Sequence, residues 1–198
     1  MRRAAAIVGA AILGVAVATS AVASGTSLVR RQVANVPVSV AVPSAWLYVS
    51  VPYPVTAADI KRLMAKDPAA RVLDNPSFAK VGMRFIANEP PSGKFAANVN
   101  LIVQQLPAGA TLAQWLFGAG GKPPAGDGRE EVIRIGGVTA IHWRTTKEQK
   151  VNGQPLLTDA WGFKHGGYAY DFTYSSLASD SAKYEPTFNA SAASIRFF

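Results

Sequence analysis

The chain has 198 residues, which is enough for one domain with a substantial core and too few for two ordinary ones. Its 20 Lys and Arg outnumber its 12 Asp and Glu, but they are scattered, whereas a nucleic-acid-binding surface would cluster them. Cysteine is absent, which excludes disulfides, thiol catalysis and thiolate metal sites. We expect no nucleic-acid partner and a weak attraction to anionic polymers or lipid headgroups.

The first residues have the pattern of a secretory signal peptide. Arg2 and Arg3 precede an apolar, alanine-rich run over 4–18, and residues 21–23 (Ala-Val-Ala) fit a small-x-small cleavage site. The apolar run has the length of a signal-peptide core and is shorter than a bilayer span. We predict a signal peptide over 1–23, with an uncleaved anchor as the alternative. The remaining chain is then secreted or held in the envelope, without an integral membrane span.

The predicted domain begins after a short linker. Residues 24–35 are small and polar with two arginines, so we predict a flexible lead-in there and one domain over 36–198. Four valines alternate with other residues over 36–42, which indicates the first strand. Because proline cannot donate a ladder hydrogen bond, Pro37 predicts that this strand starts at a sheet edge. A second short strand or an extended segment is expected over 47–51.

The middle of the chain has the signals of two short helices. The first should begin at Thr56, whose hydroxyl can accept from the Asp59 amide, and end near Lys66. The second should follow Thr111 and stop at the glycines that begin at Gly118. Five glycines and two prolines over 118–128 predict an exposed, mobile loop. Further strands are predicted over 81–87, 98–103, 131–135, 138–145 and 156–163.

An aromatic hairpin near the C-terminus is predicted to be the centre of the fold. Tyr168, Tyr170, Phe172 and Tyr174 fall at every other residue, so all four should share one strand face. A final helix, with aromatic and small residues at helical spacing from Tyr184 onwards, should pack on these rings. The fold class is therefore α+β, an antiparallel sheet of about six or seven strands with helices on both faces.

No motif in the sequence indicates catalysis. The two histidines, His142 and His165, lack a second ligand at metal-binding spacing, so His142 is predicted to be a structural histidine in a strand. The adjacent acids Glu130 and Glu131 are interpreted as a solvated pair at a strand edge. The glycines over 118–121 lack phosphate-loop spacing and follow a helix. We predict no catalytic, cofactor-binding or metal-binding residue.

A contact surface is predicted where the second helix meets the glycine-rich loop. Trp115, Phe117 and Lys122 place two large rings and a cation near an element end, where aromatic residues often mediate contacts. Core packing of both rings is the alternative, and the shortage of other large residues for the helices favours it.

Four segments resemble a known family: VAVPSAW at 40–46, AYDFTY at 169–174, YEPTF at 184–188 and SIRF at 194–197. In this order they are similar to the LpqN (Lpp-LpqN) family of actinobacterial envelope lipoproteins, within the PsbP-like group. The resemblance implies an α/β/α sandwich around an antiparallel sheet, with a binding or accessory role and no family-wide catalytic residues. The chain departs from the family in lacking the lipobox cysteine, which puts a lipid anchor in doubt.

Two functions follow as hypotheses. The first is an exported, non-enzymatic binding or accessory domain of the cell envelope, whose partner is an unknown protein or envelope component. The alternative is a carrier that holds a small apolar ligand or lipid between the aromatic sheet face and the final helix. An enzyme acting on wall material ranks third, because only the predicted location supports it.

Overall fold

A computed structural model describes residues 27–51, 56–66, 81–90, 95–123, 129–146 and 149–198. The predicted signal peptide over 1–23 and residues 124–128 of the glycine-rich loop lie outside these ranges. The strands are β1 (Leu28–Gln32), β2 (Val38–Pro43), β3 (Leu47–Ser50), β4 (Met83–Asn88), β5 (Asn98–Gln105), β6 (Arg129–Ile135), β7 (Val138–Thr145), β8 (Lys150–Val151), β9 (Gln154–His165), β10 (Tyr168–Leu177) and β11 (Arg196–Phe197). The helices are α1 (Ala57–Lys66), α2 (Leu112–Phe117) and α3 (Ser181–Ala193).

The larger sheet is antiparallel and follows the order β3-β4-β5-β10-β9-β7-β6, with β8 paired to β9 beside this path. Strands β9 and β10, the two arms of the aromatic hairpin, lie near its middle. The α+β class and the strand number of this sheet confirm the prediction. Among the described residues, no helix is long and apolar enough to cross a bilayer.

A second sheet of three strands, β1-β2-β11, differs from what the sequence predicted. The flexible lead-in is wrong from Leu28 onwards, because β1 pairs with β2 along its whole length. Its polar side chains gave no strand pattern, and the pairing depends on backbone hydrogen bonds instead. The prediction from Pro37 is also wrong: β2 is the central strand, and Pro37 is tolerated because it precedes the strand.

The core lies between one face of the larger sheet and a layer formed by α3 and the three-stranded sheet. Tyr170, Phe172 and Tyr174 are buried on this face, as their alternation predicted. The rings of Tyr174 and Phe188 of α3 are 5.2 Å apart between centroids. Tyr168 is the exception, since 45% of it is exposed where the strand leaves the hairpin turn.

The opposite face of the sheet, called the second face below, carries α2. Thr111 caps this helix as predicted: its hydroxyl accepts from the Gln114 amide at 3.1 Å, and the Gln114 side chain accepts from the Thr111 amide. The side chain of Leu116 lies directly over Gly162 of β9, where an added Cβ would come within 2.5 Å of it. Glycine at 162 therefore lets the helix approach the strand closely.

Candidate functional site

The predicted contact residues lie where α2 meets the second face. Trp115 is half-buried, and its indole N–H donates to the Gln104 side chain at 3.1 Å. Phe117 packs edge-on against Trp143, with centroids 5.8 Å apart, and Lys122 is exposed. Both rings thus hold the helix on the sheet while keeping part of their surface open, and only Lys122 projects freely.

Strand β6 forms one edge of the larger sheet, and its apolar residues were not among the predicted contact residues. Its central residue, Val132, is 71% exposed, the largest value among the exposed large apolar side chains described. Val132 lies opposite Ile141 of β7, on the second face, and Ile141 is half-buried. Glu131 is half-buried and has a partner within the chain, so it is not the fully solvated residue that we predicted.

His142 is held by contacts with two residues of β9. Its Nε2 is 2.5 Å from the Asp159 carboxylate, which is almost fully buried, and its ring stacks on Trp161 with centroids 3.8 Å apart. Arg144, on the same face of β7, pairs with Glu185 of α3 at 2.7 Å. That contact holds the pKa of the Glu185 carboxyl below its usual range. The pair of Arg144 with Glu185 connects the sheet to α3, whereas His142 and Asp159 join β7 to β9.

A row of polar side chains crosses the second face at one level of the sheet. Adjacent strands place these residues directly opposite one another: Asn88, Asn98, Ser175, Thr158 and Thr145. All five are buried. Among these described residues, the side-chain oxygens of Asn88, Asn98 and Thr158 have no hydrogen-bond donor. An unpaired buried acceptor costs free energy, so these three oxygens lower the stability of the fold.

Asp171, on the same face of β10 as Ser175, gives the domain a predictable pH dependence. Burial raises the pKa of its carboxyl to about 6, against the opposing hydrogen bond from the Thr173 hydroxyl at 3.2 Å. The folded state then binds the proton more tightly than the unfolded chain. The charged carboxylate destabilises the fold at pH 7, and this cost disappears as the pH falls through 6 towards 4.

Asp171→Asn is therefore expected to raise the free energy of unfolding at pH 7 by about 1 to 2 kcal/mol, because the amide is neutral and keeps an acceptor for Thr173. At pH 4.5 the difference between variant and parent should be much smaller. Urea denaturation at both pH values measures this. An equal difference at the two values would show that Asp171 does not titrate between them.

A shallow hollow lies beside the start of α2, at the turn end of the aromatic hairpin. Its volume is about 550 Å³, and its walls are the loop over 106–112 together with Lys164 and Gly167. The loop is fixed by backbone hydrogen bonds, among them Leu106 N–H to the Gly167 carbonyl at 3.0 Å. Most of this lining is small or apolar, with Lys164 as the charged residue.

The space proposed for an apolar ligand is filled by side chains. Phe188 of α3 contacts Tyr174 on the sheet, Tyr184 on its own helix and Trp46 from the other layer. Phe188 and Tyr174 are completely buried. The packing of these rings therefore argues against a carrier site between the aromatic face and the final helix.

Neither a protein-family model nor a curated protein sequence matches the chain. Among solved structures, LpqN, involved in cell envelope biogenesis of Mycobacterium tuberculosis, is 13% identical and gives a TM-score of 0.53, covering 85% of this chain and 90% of that one. A protein from Bacteroides thetaiotaomicron is 13% identical with a TM-score of 0.47 over 82% of this chain. The present chain spans 45% of the length of that protein.

Cyanobacterial PsbP from Synechocystis is 15% identical, with a TM-score of 0.48 over 91% of this chain and 98% of that one. At such identities a structural likeness extends to the fold alone, and the LpqN comparison is the one that carries weight here. It agrees with the sandwich that the family resemblance implied. The chain therefore shares the antiparallel α+β fold of LpqN.

Proposed function

We propose that the chain is an exported, non-enzymatic accessory domain of the cell envelope, which acts by binding a protein or another envelope component. The observation that carries the proposal is the fold shared with LpqN, a protein of envelope biogenesis. In this chain the same fold follows an N-terminus with the pattern of a signal peptide. A relationship to the LpqN family belongs to the same proposal.

The side chains support a non-enzymatic binding role in two ways. Both histidines take part in internal packing: His142 lies on Trp161, and His165 lies against Phe197 with centroids 4.8 Å apart. The second face offers the half-open rings of α2 and the exposed cation Lys122. A partner with an apolar group and a negative charge would complement this surface.

Export is tested by expressing the full chain in a bacterial host and sequencing the N-terminus of the envelope fraction. The mature protein is expected to begin at Ser24. Ala23→Leu should block cleavage, because the peptidase requires a small residue there, whereas Val22→Leu changes the tolerant middle position and should be cleaved normally. A chain that stays in the cytoplasm with residue 1 intact would contradict export.

Binding is tested in the same cells with a photo-cross-linking amino acid at position 122. An adduct with one envelope component is expected there, and none with the same cross-linker at Lys150, which is exposed on β8. An exported chain that gives no adduct at position 122, or equal adducts at both positions, would refute this contact surface.

A further inference from the structure

The two edges of the larger sheet are not equivalent. At one edge, β3 is partly covered by the chain itself: the Ser50 hydroxyl accepts from the Ala34 amide, and the Tyr48 hydroxyl donates to the Gln32 carbonyl. At the other edge, β6 pairs only with β7 among the strands described. An unpaired strand edge is a template for pairing with another chain.

The sequence of β6 restricts which strand can pair with it. Four of its seven residues are charged, REEVIRI, and charges on an edge strand discourage indiscriminate association. Val132 is nevertheless exposed at the middle of the strand. An exposed branched apolar residue between charges of both signs favours a partner strand with the complementary pattern.

We propose that this partner is the β6 strand of a second copy, in an antiparallel register centred on Val132. In this register Val132 lies opposite Val132 of the second copy, and position 130, a glutamate, lies opposite Arg134. The symmetry gives two such oppositely charged pairs around one apolar contact. The strand is thus complementary to itself, as a two-fold interface requires.

Neighbouring registers are less favourable. A centre at Glu131 would bring two glutamates face to face. A centre at Ile133 would form no oppositely charged pair, since Arg134 would lie opposite Val132 and Glu131 opposite Ile135. An offset register that pairs Glu131 with Arg134 would place Val132 opposite Ile133. Ile133 packs against the core of its own copy, and Glu131 has a partner there. The register centred on Val132 instead brings the exposed apolar side chain of one copy against that of the other.

Pairing in this way joins the two larger sheets into one continuous sheet, with both α2 helices on the same side. One strand pair is a small interface, so we expect the dissociation constant of the dimer to be on the order of micromolar. Self-association through β6 does not depend on the proposed envelope function, and its test uses a different surface and a different readout.

The test is sedimentation equilibrium of the mature chain, purified from an export-competent host, over a range of concentrations. Val132→Lys places like charges opposite each other and is expected to weaken dimerisation at least about ten-fold. Val29→Lys is the matched control, because it makes the same change at an exposed position on β1, an edge strand of the smaller sheet. This control should dimerise like the parent.

The register is tested by exchanging charges. Glu130→Arg and Arg134→Glu should each weaken the dimer about ten-fold, because each single change creates two like-charged pairs. The double variant restores opposite charges and should recover the parent affinity. Circular dichroism verifies that every variant folds.

Two outcomes would overturn the proposal. A chain that stays monomeric at every concentration would show that β6 does not pair with a second copy. A dimer that survives Val132→Lys, or that the double charge exchange fails to restore, would show that the copies meet through another surface or register.

Discussion

Phe172→Ala is expected to lower the free energy of unfolding by about 3 to 5 kcal/mol. Phe172 is completely buried at the centre of the larger sheet, between Phe85 and Phe163, with ring centroids 6.1 Å and 5.9 Å away. Truncation removes apolar burial and leaves a cavity lined by neighbouring strands, which cannot collapse without breaking their ladders. Urea denaturation followed by tryptophan fluorescence measures the loss.

Phe198→Ala is the matched control for this substitution. The same ring is removed, but Phe198 is 64% exposed at the end of the chain. The control should change the free energy of unfolding by less than about 0.5 kcal/mol. Equal effects of the two variants would contradict the assignment of the aromatic face as the core.

Gly82→Ala is expected to cost about 2 to 4 kcal/mol. Gly82 has φ +79°, which side chains disfavour, and an added Cβ would lie 2.5 Å from the backbone oxygen of Val103. Strand β5 cannot move away freely, because the Val103 N–H donates to the Gly82 carbonyl at 2.9 Å. The substitution therefore forces a shift of backbone against backbone.

Gly109→Ala separates the cost of the left-handed backbone from the cost of the close contact with Val103. Gly109 has a similar φ of +77°, but nothing lies within 4 Å of an added Cβ. Its substitution should cost only about 1 kcal/mol, the penalty of the left-handed backbone. Both variants can be compared by urea midpoints. Similar losses would show that the contact with Val103 relaxes without cost.

The sequence predicted those elements whose signals are local. The caps at Thr56 and Thr111 each depend on a residue three positions later, and the structure confirms both helices. The aromatic alternation on β10 predicted the buried rings because a strand has a fixed period of two. Tyr168 has the same spacing, yet it is exposed, because no periodicity reveals where the covering layer ends.

The features that were missed depend on distant residues. Strand β1 is held by its pairing with β2, and its own side chains do not alternate in burial. The partner of His142 is Asp159, 17 residues further along the chain, and strand register brings them together. The open edge at β6 is a property of strand order, which no pattern within seven residues specifies.

In the candidate site too, the sequence did not reveal contacts between distant residues, as Trp115 and Phe117 show. The sequence identified both rings, but their orientation depends on the strands under α2. Trp115 is fixed by Gln104 of β5, whose amide also donates to the Val81 carbonyl at 2.8 Å. One side chain thus connects the helix, β5 and the entry to β4. Such a connection is visible only when the three segments are in place.

Strand β2 lies between the first strand and the last. Ser39 pairs with Gln32 on one side and with Arg196 on the other, so residues near both ends of the domain meet at a single position. The layer over the aromatic core cannot close until Arg196 and Phe197 reach β2. Because the strands that meet at β2 are far apart in sequence, this layer is the part of the domain that folding completes late.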